Sequence, residues 1–134
     1  MEYKAKLRFL KISARKVRQV ADLVRGQDVE KALETLYYVP KAASDPLMKT
    51  IKSATSNAIN SEGSAKVKAE DLFIKELRID GGPVMKRIRP APMGRAYRIR
   101  KRTSHIDLII AVKSDKLKAI QAEEAKAKAK SKKS

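Results

Sequence analysis

Ser104-His105-Ile106-Asp107 holds, within four residues, the three side-chain types of a nucleophilic triad. The spacing defeats that chemistry. Neighbours on an extended strand point to opposite faces, so adjacent Ser104 and His105 cannot readily bring hydroxyl and imidazole together. His105 is the chain's single histidine and there is no cysteine. That leaves no ligand set for zinc and no thiol for catalysis or for disulfides. Asp80-Gly81-Gly82 has the glycines of a phosphate loop without its lysine or its spacing, and reads as a turn leaving a strand. No carboxylate pair stands in an acid–base arrangement. The expectation is therefore no enzyme, no metal and no cofactor. His105 is expected to bond backbone or phosphate.

What these residues do offer is positive charge, unevenly placed. The 134 residues carry 32 Lys and Arg against 15 Asp and Glu, a formal net charge of +17. In so small a chain that balance points to a polyanion, nucleic acid before others. Residues 1–80 hold 16 basic and 11 acidic side chains, as an ordinary domain could. Residues 81–106 hold Lys86, Arg87, Arg89, Arg95, Arg98, Arg100, Lys101 and Arg102 without one acid. Such a block repels itself unless something anionic threads among its charges. Most of it is Arg, whose planar fork grips phosphate bidentately and stacks on bases. Residues 113–134 add eight Lys, no Arg and three acids, which suits loose attraction instead. The RNA-binding set drawn from this pattern is Lys11, Arg15, Lys16, Arg18, Arg25, the eight cations of the block, and His105.

The elements that must hold these charges form one domain. Lys4 to Leu10 alternates as a short strand. Ser13 can cap a helix in which Val17, Val20, Ala21 and Val24 make one buried stripe, and Gly26 ends it. Asp28 can cap a second helix with the stripe Val29, Ala32, Leu33 and Leu36, stopped by Pro40. A third begins at Ser44-Asp45-Pro46, buries Leu47, Ile51, Ala54 and Ala58, and closes at Gly63. Its small residues imply close approach of another element. Residues 71–79 and 106–112 read as strands, the second more thoroughly buried.

Between those two strands lie 26 residues where a tight hairpin needs two to five. They contain Gly81, Gly82, Pro83, Pro90, Pro92 and Gly94 and almost no large apolar side chain. The reading is a two-stranded arm over about 81–105, each side reaching on the order of 40 Å. Alone in water it would be marginal, so nucleic acid is expected to supply the missing surface. Folded RNA suits its length better than a regular duplex. The alternative is a sequence-specific DNA regulator using the first two helices, weakened by the mixed charges Glu30, Lys31 and Glu34. Tyr37-Tyr38 is read as packing and not as a base-stacking platform. Beyond residue 113 a Lys/Ala-rich tail is expected to run from frayed helix into disorder. No stretch is long and apolar enough to span a membrane. Met1-Glu2-Tyr3-Lys4 has no apolar run behind it, so a cytosolic protein is expected.

Ile12-Ser13-Ala14-Arg15-Lys16-Val17-Arg18 followed by Leu23-Val24-Arg25-Gly26 resembles the start of the bacterial family of large-subunit ribosomal protein twenty-two. Ser53-Ala54-Thr55-Ser56-Asn57-Ala58 is similar to that family's third-helix motif. Residues 83–90, then Gly94-Arg95-Ala96, Ile99 and Lys101-Arg102-Thr103-Ser104-His105-Ile106, resemble its hairpin. These blocks fall in order across about residues 4–113. The resemblance implies an α+β fold: three helices packed on a small antiparallel three-stranded sheet, with a long extended β-hairpin arm. It implies a non-catalytic constituent of the large ribosomal subunit, monomeric off the ribosome, that binds 23S rRNA and aids assembly. Neighbouring large-subunit proteins and the nascent peptide are the other implied partners. The implied position of Met85, Lys86, Arg87, Ile88 and Arg89 is near the arm's tip, lining the exit tunnel by its constriction and the macrolide region. Arg95, Arg98, Lys101, Arg102 and His105 would follow on the returning side. Where the family commonly has a basic and then a small residue between Pro and Gly, this chain has Ala91-Pro92-Met93.

Overall fold

The computed structural model describes residues 1–63 and 66–131. In chain order the elements are β1 (Glu2–Leu10), α1 (Ala14–Val24), α2 (Val29–Tyr38), α3 (Ser44–Glu62), β2 (Leu72–Gly81), β3 (Met85–Pro90), β4 (Ala96–Lys101), β5 (Ser104–Val112) and α4 (Ser114–Ser131). A single 3₁₀ turn, Ala69–Asp71, leads into β2. One antiparallel sheet has the order β1-β5-β2, and β3 with β4 forms a separate two-stranded ribbon. The expected α+β architecture is present, with one helix more than expected. The tail expected to fray is helical over Ser114–Ser131, and the disorder expected at the extreme end falls on residues 132–134, outside the described residues.

β5 lies between two partners, and Ile106, Leu108, Ile110 and Val112 are buried along it. The stripes read from the sequence meet these residues: Val17, Val20, Ala21 and Val24 from α1, Val29, Ala32 and Leu36 from α2, Leu47, Ile51, Ala54 and Ala58 from α3. Each fully buried Val, Leu or Ile is worth about 1.5–3 kcal/mol against exposure, so this cluster is what fixes the domain. The alanines of α3 allow the expected close approach. α3 lies against β1, and Asn57 Nδ2 donates to the Lys4 carbonyl at 3.1 Å.

Two local expectations are refined. Ser13 and Asp28 occupy N-cap positions, but neither side chain makes a cap hydrogen bond to its helix. The Asp28 carboxylate instead meets Lys113 at 3.1 Å, at the end of β5. Tyr37 and Tyr38 are not packed: they are 74% and 75% exposed, edge to face at 5.4 Å. The buried stripe of α2 finishes at Leu36, and the last turn carries both rings past the core.

Candidate nucleic-acid interface

The arm leaves the domain where β2 and β5 end, at the Gly81–Ser104 pair. Two hydrogen bonds close its base: Gly82 N donates to the Thr103 carbonyl at 2.9 Å, and Thr103 Oγ1 donates to the Pro83 carbonyl at 2.6 Å. Glycine is required at 82. A Cβ there would overlap Thr103 Oγ1 and sit 3.2–3.3 Å from the His105 ring. From this joint β3 and β4 pair in unbroken register, Met85 with Lys101 through to Pro90 with Ala96. Six paired residues a side span about 20 Å, and the base and turn add the rest of the reach.

This register corrects one expectation. The turn is formed by residues 91–95, closed by Ala91 N donating to the Arg95 carbonyl at 2.9 Å. Met93 and Gly94 adopt φ of +62° and +65° there, and Met93 is 94% exposed. Met85 therefore lies at the domain end of the ribbon and Arg89 near the turn, so residues 85–89 form one side of the arm and not its tip. Ala91-Pro92-Met93 puts a thioether at the apex instead of a cation.

The arm's charges are left open. The side chains of Lys86, Arg89, Arg95, Arg98, Arg100, Lys101 and Arg102 make no hydrogen bond or ion pair among the described residues. Arg87 bonds only the neighbouring Lys86 carbonyl, at 2.9 Å. Residues within the ribbon alternate faces, so cations point to both sides of it. With Ile88 73% exposed, neither face has a core of its own.

The cations expected on the first helix divide into two kinds. Arg18, though exposed, lays its guanidinium on β2, Nε and Nη2 donating to the Ile79 carbonyl at 3.2 and 2.9 Å. Arg25 holds Asp22 at 2.6 Å and the Leu77 carbonyl at 3.1 Å. Both tie α1 to β2 beside the arm's root. Lys11, Arg15 and Lys16 have no such partner among the described residues. Ser13, Arg15, Lys16, Gly82, Val84 and Arg102 share a cleft of about 720 Å³ between α1 and the arm base. The structure thus brings Arg15, Lys16, Arg18 and Arg102 around one cleft, with Arg18 also bonded to β2, while Arg25 lies outside it, tied to Asp22 and β2. That division needed the strand ends, which the sequence does not locate to the residue.

His105 meets its expectation of a backbone bond: its Nδ1 accepts from Phe9 N–H at 3.1 Å. The neutral ring then carries its proton on Nε2. Ser104 is fully buried on the opposite face of β5, and Asp107 pairs with Arg8 at 3.2 Å, so no triad forms. Sequence reasoning missed Phe9, which alternation alone would have turned inward. Among the described residues there is no cluster of potential metal ligands, and no helix is long and apolar enough to cross a membrane.

A basic two-stranded arm on a small α+β domain is the form in which the comparisons with known proteins find their match. The family model described as ribosomal protein L22p/L17e matches residues 5–111. Large ribosomal subunit protein uL22 of Desulfitobacterium hafniense (strain Y51) is 46% identical over 112 residues, covering 84% of this chain and 96% of its own. The uL22 protein of Christiangramia forsetii is 49% identical over 106 residues, 79% of this chain and 78% of its own. That of Chlorobium phaeobacteroides is 48% identical over 110 residues, covering 82% and 94%. These matches embrace all three core helices, the sheet and the whole arm, and they leave the DNA-regulator alternative behind. The chain belongs to the uL22 family, structural and non-enzymatic proteins of the large ribosomal subunit.

Proposed function

We propose that the chain binds 23S rRNA through its arm and the cleft at the arm's base, aids subunit assembly by bridging RNA segments, and lines the nascent-peptide exit tunnel with β3. The observation that carries this is the arm's uncompensated charge: eight cations without an acid, on a ribbon that touches no core. Phosphates would neutralise the arginines, and RNA surface would cover the side chains that the ribbon cannot cover itself. The domain then acts as an anchor on the RNA surface while the arm runs between helices. Other large-subunit proteins and the emerging peptide are its remaining neighbours, and the chain is a monomer when free.

The test is sedimentation of the full chain with 23S rRNA and with large subunits lacking it. Co-sedimentation at low salt and release at high salt is expected. A chain that stays in the supernatant at low salt refutes the reading. In reconstituted subunits, a photoreactive residue at Ile88 should cross-link the nascent chain, and failure to do so would retire the tunnel-lining part alone.

A further inference from the structure

Outside the arm's turn, Phe9 is the one non-glycine among the described residues with a positive φ. It has φ +56°, in the left-handed region that a bulky L residue avoids at a cost of about 1 kcal/mol or more. β1 loses register with β5 between Leu7 and Leu10, so the inward order Tyr3, Ala5, Leu7 is broken. Leu10, not Phe9, packs against the core after the break. The result is a phenyl ring 64% exposed, although the strand's alternation would have buried it.

The surroundings hold the ring there. His105 accepts the Phe9 N–H and stands edge-on to the ring, centroids 5.0 Å apart and planes at 89°. The imidazole has room because residue 82 is glycine. Backbone strain kept in place by neighbours of this kind marks positions where the exposed group is used.

We propose that Phe9 is a stacking platform for an unpaired RNA base, with His105 as the positioning residue that fixes its orientation. The proposal rests on the RNA-binding reading above and deepens it. The location favours RNA. Leu10 pairs with Ser104, which places the ring within two residues of unpartnered Lys11 on one strand and close to unpartnered Arg102 on the other. The mode is stacking and not phosphate binding. Asp80 faces His105 across the ladder, and its carboxylate would repel a phosphate at Nε2 but not a neutral base on the phenyl face. Aromatic–base stacking accepts any base, so the ring secures a splayed nucleotide without reading sequence.

The chain has no tryptophan, so Phe9→Trp introduces a single reporter at the platform. The full-length variant is titrated with deproteinised 23S rRNA and, separately, with inorganic polyphosphate, which offers the same charge without bases. Binding is followed independently by co-sedimentation and by heparin competition. Quenching of the indole by rRNA but not by bound polyphosphate is expected. A second variant, Phe9→Leu, should weaken rRNA affinity by about fivefold or more and leave polyphosphate affinity unchanged. If rRNA binds Phe9→Trp without quenching, or binds Phe9→Leu as tightly as the native chain, the platform is overturned and the RNA reading stands. If rRNA fails to bind the native chain, both fall.

Discussion

Replacing Arg89, Arg98, Arg100 and Arg102 together by alanine separates RNA binding from folding, and its two readouts can be worked out beforehand. None of the four side chains makes a hydrogen bond or ion pair among the described residues, and none belongs to the buried cluster. Removing such side chains changes stability by less than about 0.5 kcal/mol, and relief of repulsion within the arm would act in the stabilising direction. Each phosphate that is no longer neutralised takes about 0.7–0.9 from the slope of log affinity against log salt, so four of them flatten it by about 3. The assay is rRNA binding by the native chain and the variant over a salt series, with denaturant unfolding of both in parallel. A flattening below about 1 would mean that RNA does not read these arginines. A large loss of stability would mean that the arm belongs to the folding unit, contrary to its lack of core.

Arg18→Ala should behave in the opposite way. It removes a bidentate charged donor from the Ile79 carbonyl, which costs about 1–2 kcal/mol at this part-exposed site and lowers Tm by at least about 4 °C, while the salt slope changes little. An unchanged Tm with a flatter slope would move Arg18 to the RNA-facing set. Tyr3 supplies a pH prediction. Burial first, and the nearby Glu62 carboxylate second, push its phenol up to about 12. Since the folded value lies above the ordinary 10, its contribution to stability is complete below pH 10 and is lost as pH rises through 12. Phenolate absorbance should show a late step that Tyr3→Phe deletes; a titration identical in the two proteins would contradict the burial argument.

The helices were legible because their information is periodic and short-ranged. Val17, Val20, Ala21 and Val24 announce one face of α1 whatever lies opposite, Gly26 takes the positive φ expected of it at +77°, and Gly63 closes α3 as expected. The arm was legible from what it lacks: acids, large apolar residues, and a loop of hairpin length. Three things were hidden. That residues 85–89 line one side of the arm and not its tip follows from Pro90 pairing with Ala96, a register the residue types alone do not spell out. The bonds of Arg18 and Arg25 depend on two carbonyls of the edge strand β2, which α1 reaches only in the folded domain. The bulge at Phe9 inverts alternation without any glycine or proline in the strand to signal it.

Several irregular features gather at the arm's root. Gly82, Thr103, His105 and Phe9 form the joint between a domain that folds on its own core and a ribbon that has none. Leverage explains why the joint must be stiff. About eleven residues a side give a reach of about 36 Å, over which a tilt of about 10° at the root moves the turn sideways by about 6 Å, more than the spacing of adjacent strands. The two hydrogen bonds across Gly82, Thr103 and Pro83 resist that tilt, and Arg18 holds α1 against the strand from which the arm departs. A Cβ at residue 82 would open the joint against Thr103 and His105 together. The arm's direction is thus set by the folded domain. On the proposed RNA-binding reading, the entropy of ordering the ribbon is then met partly in advance, and contacts at the arginines would be expressed as affinity.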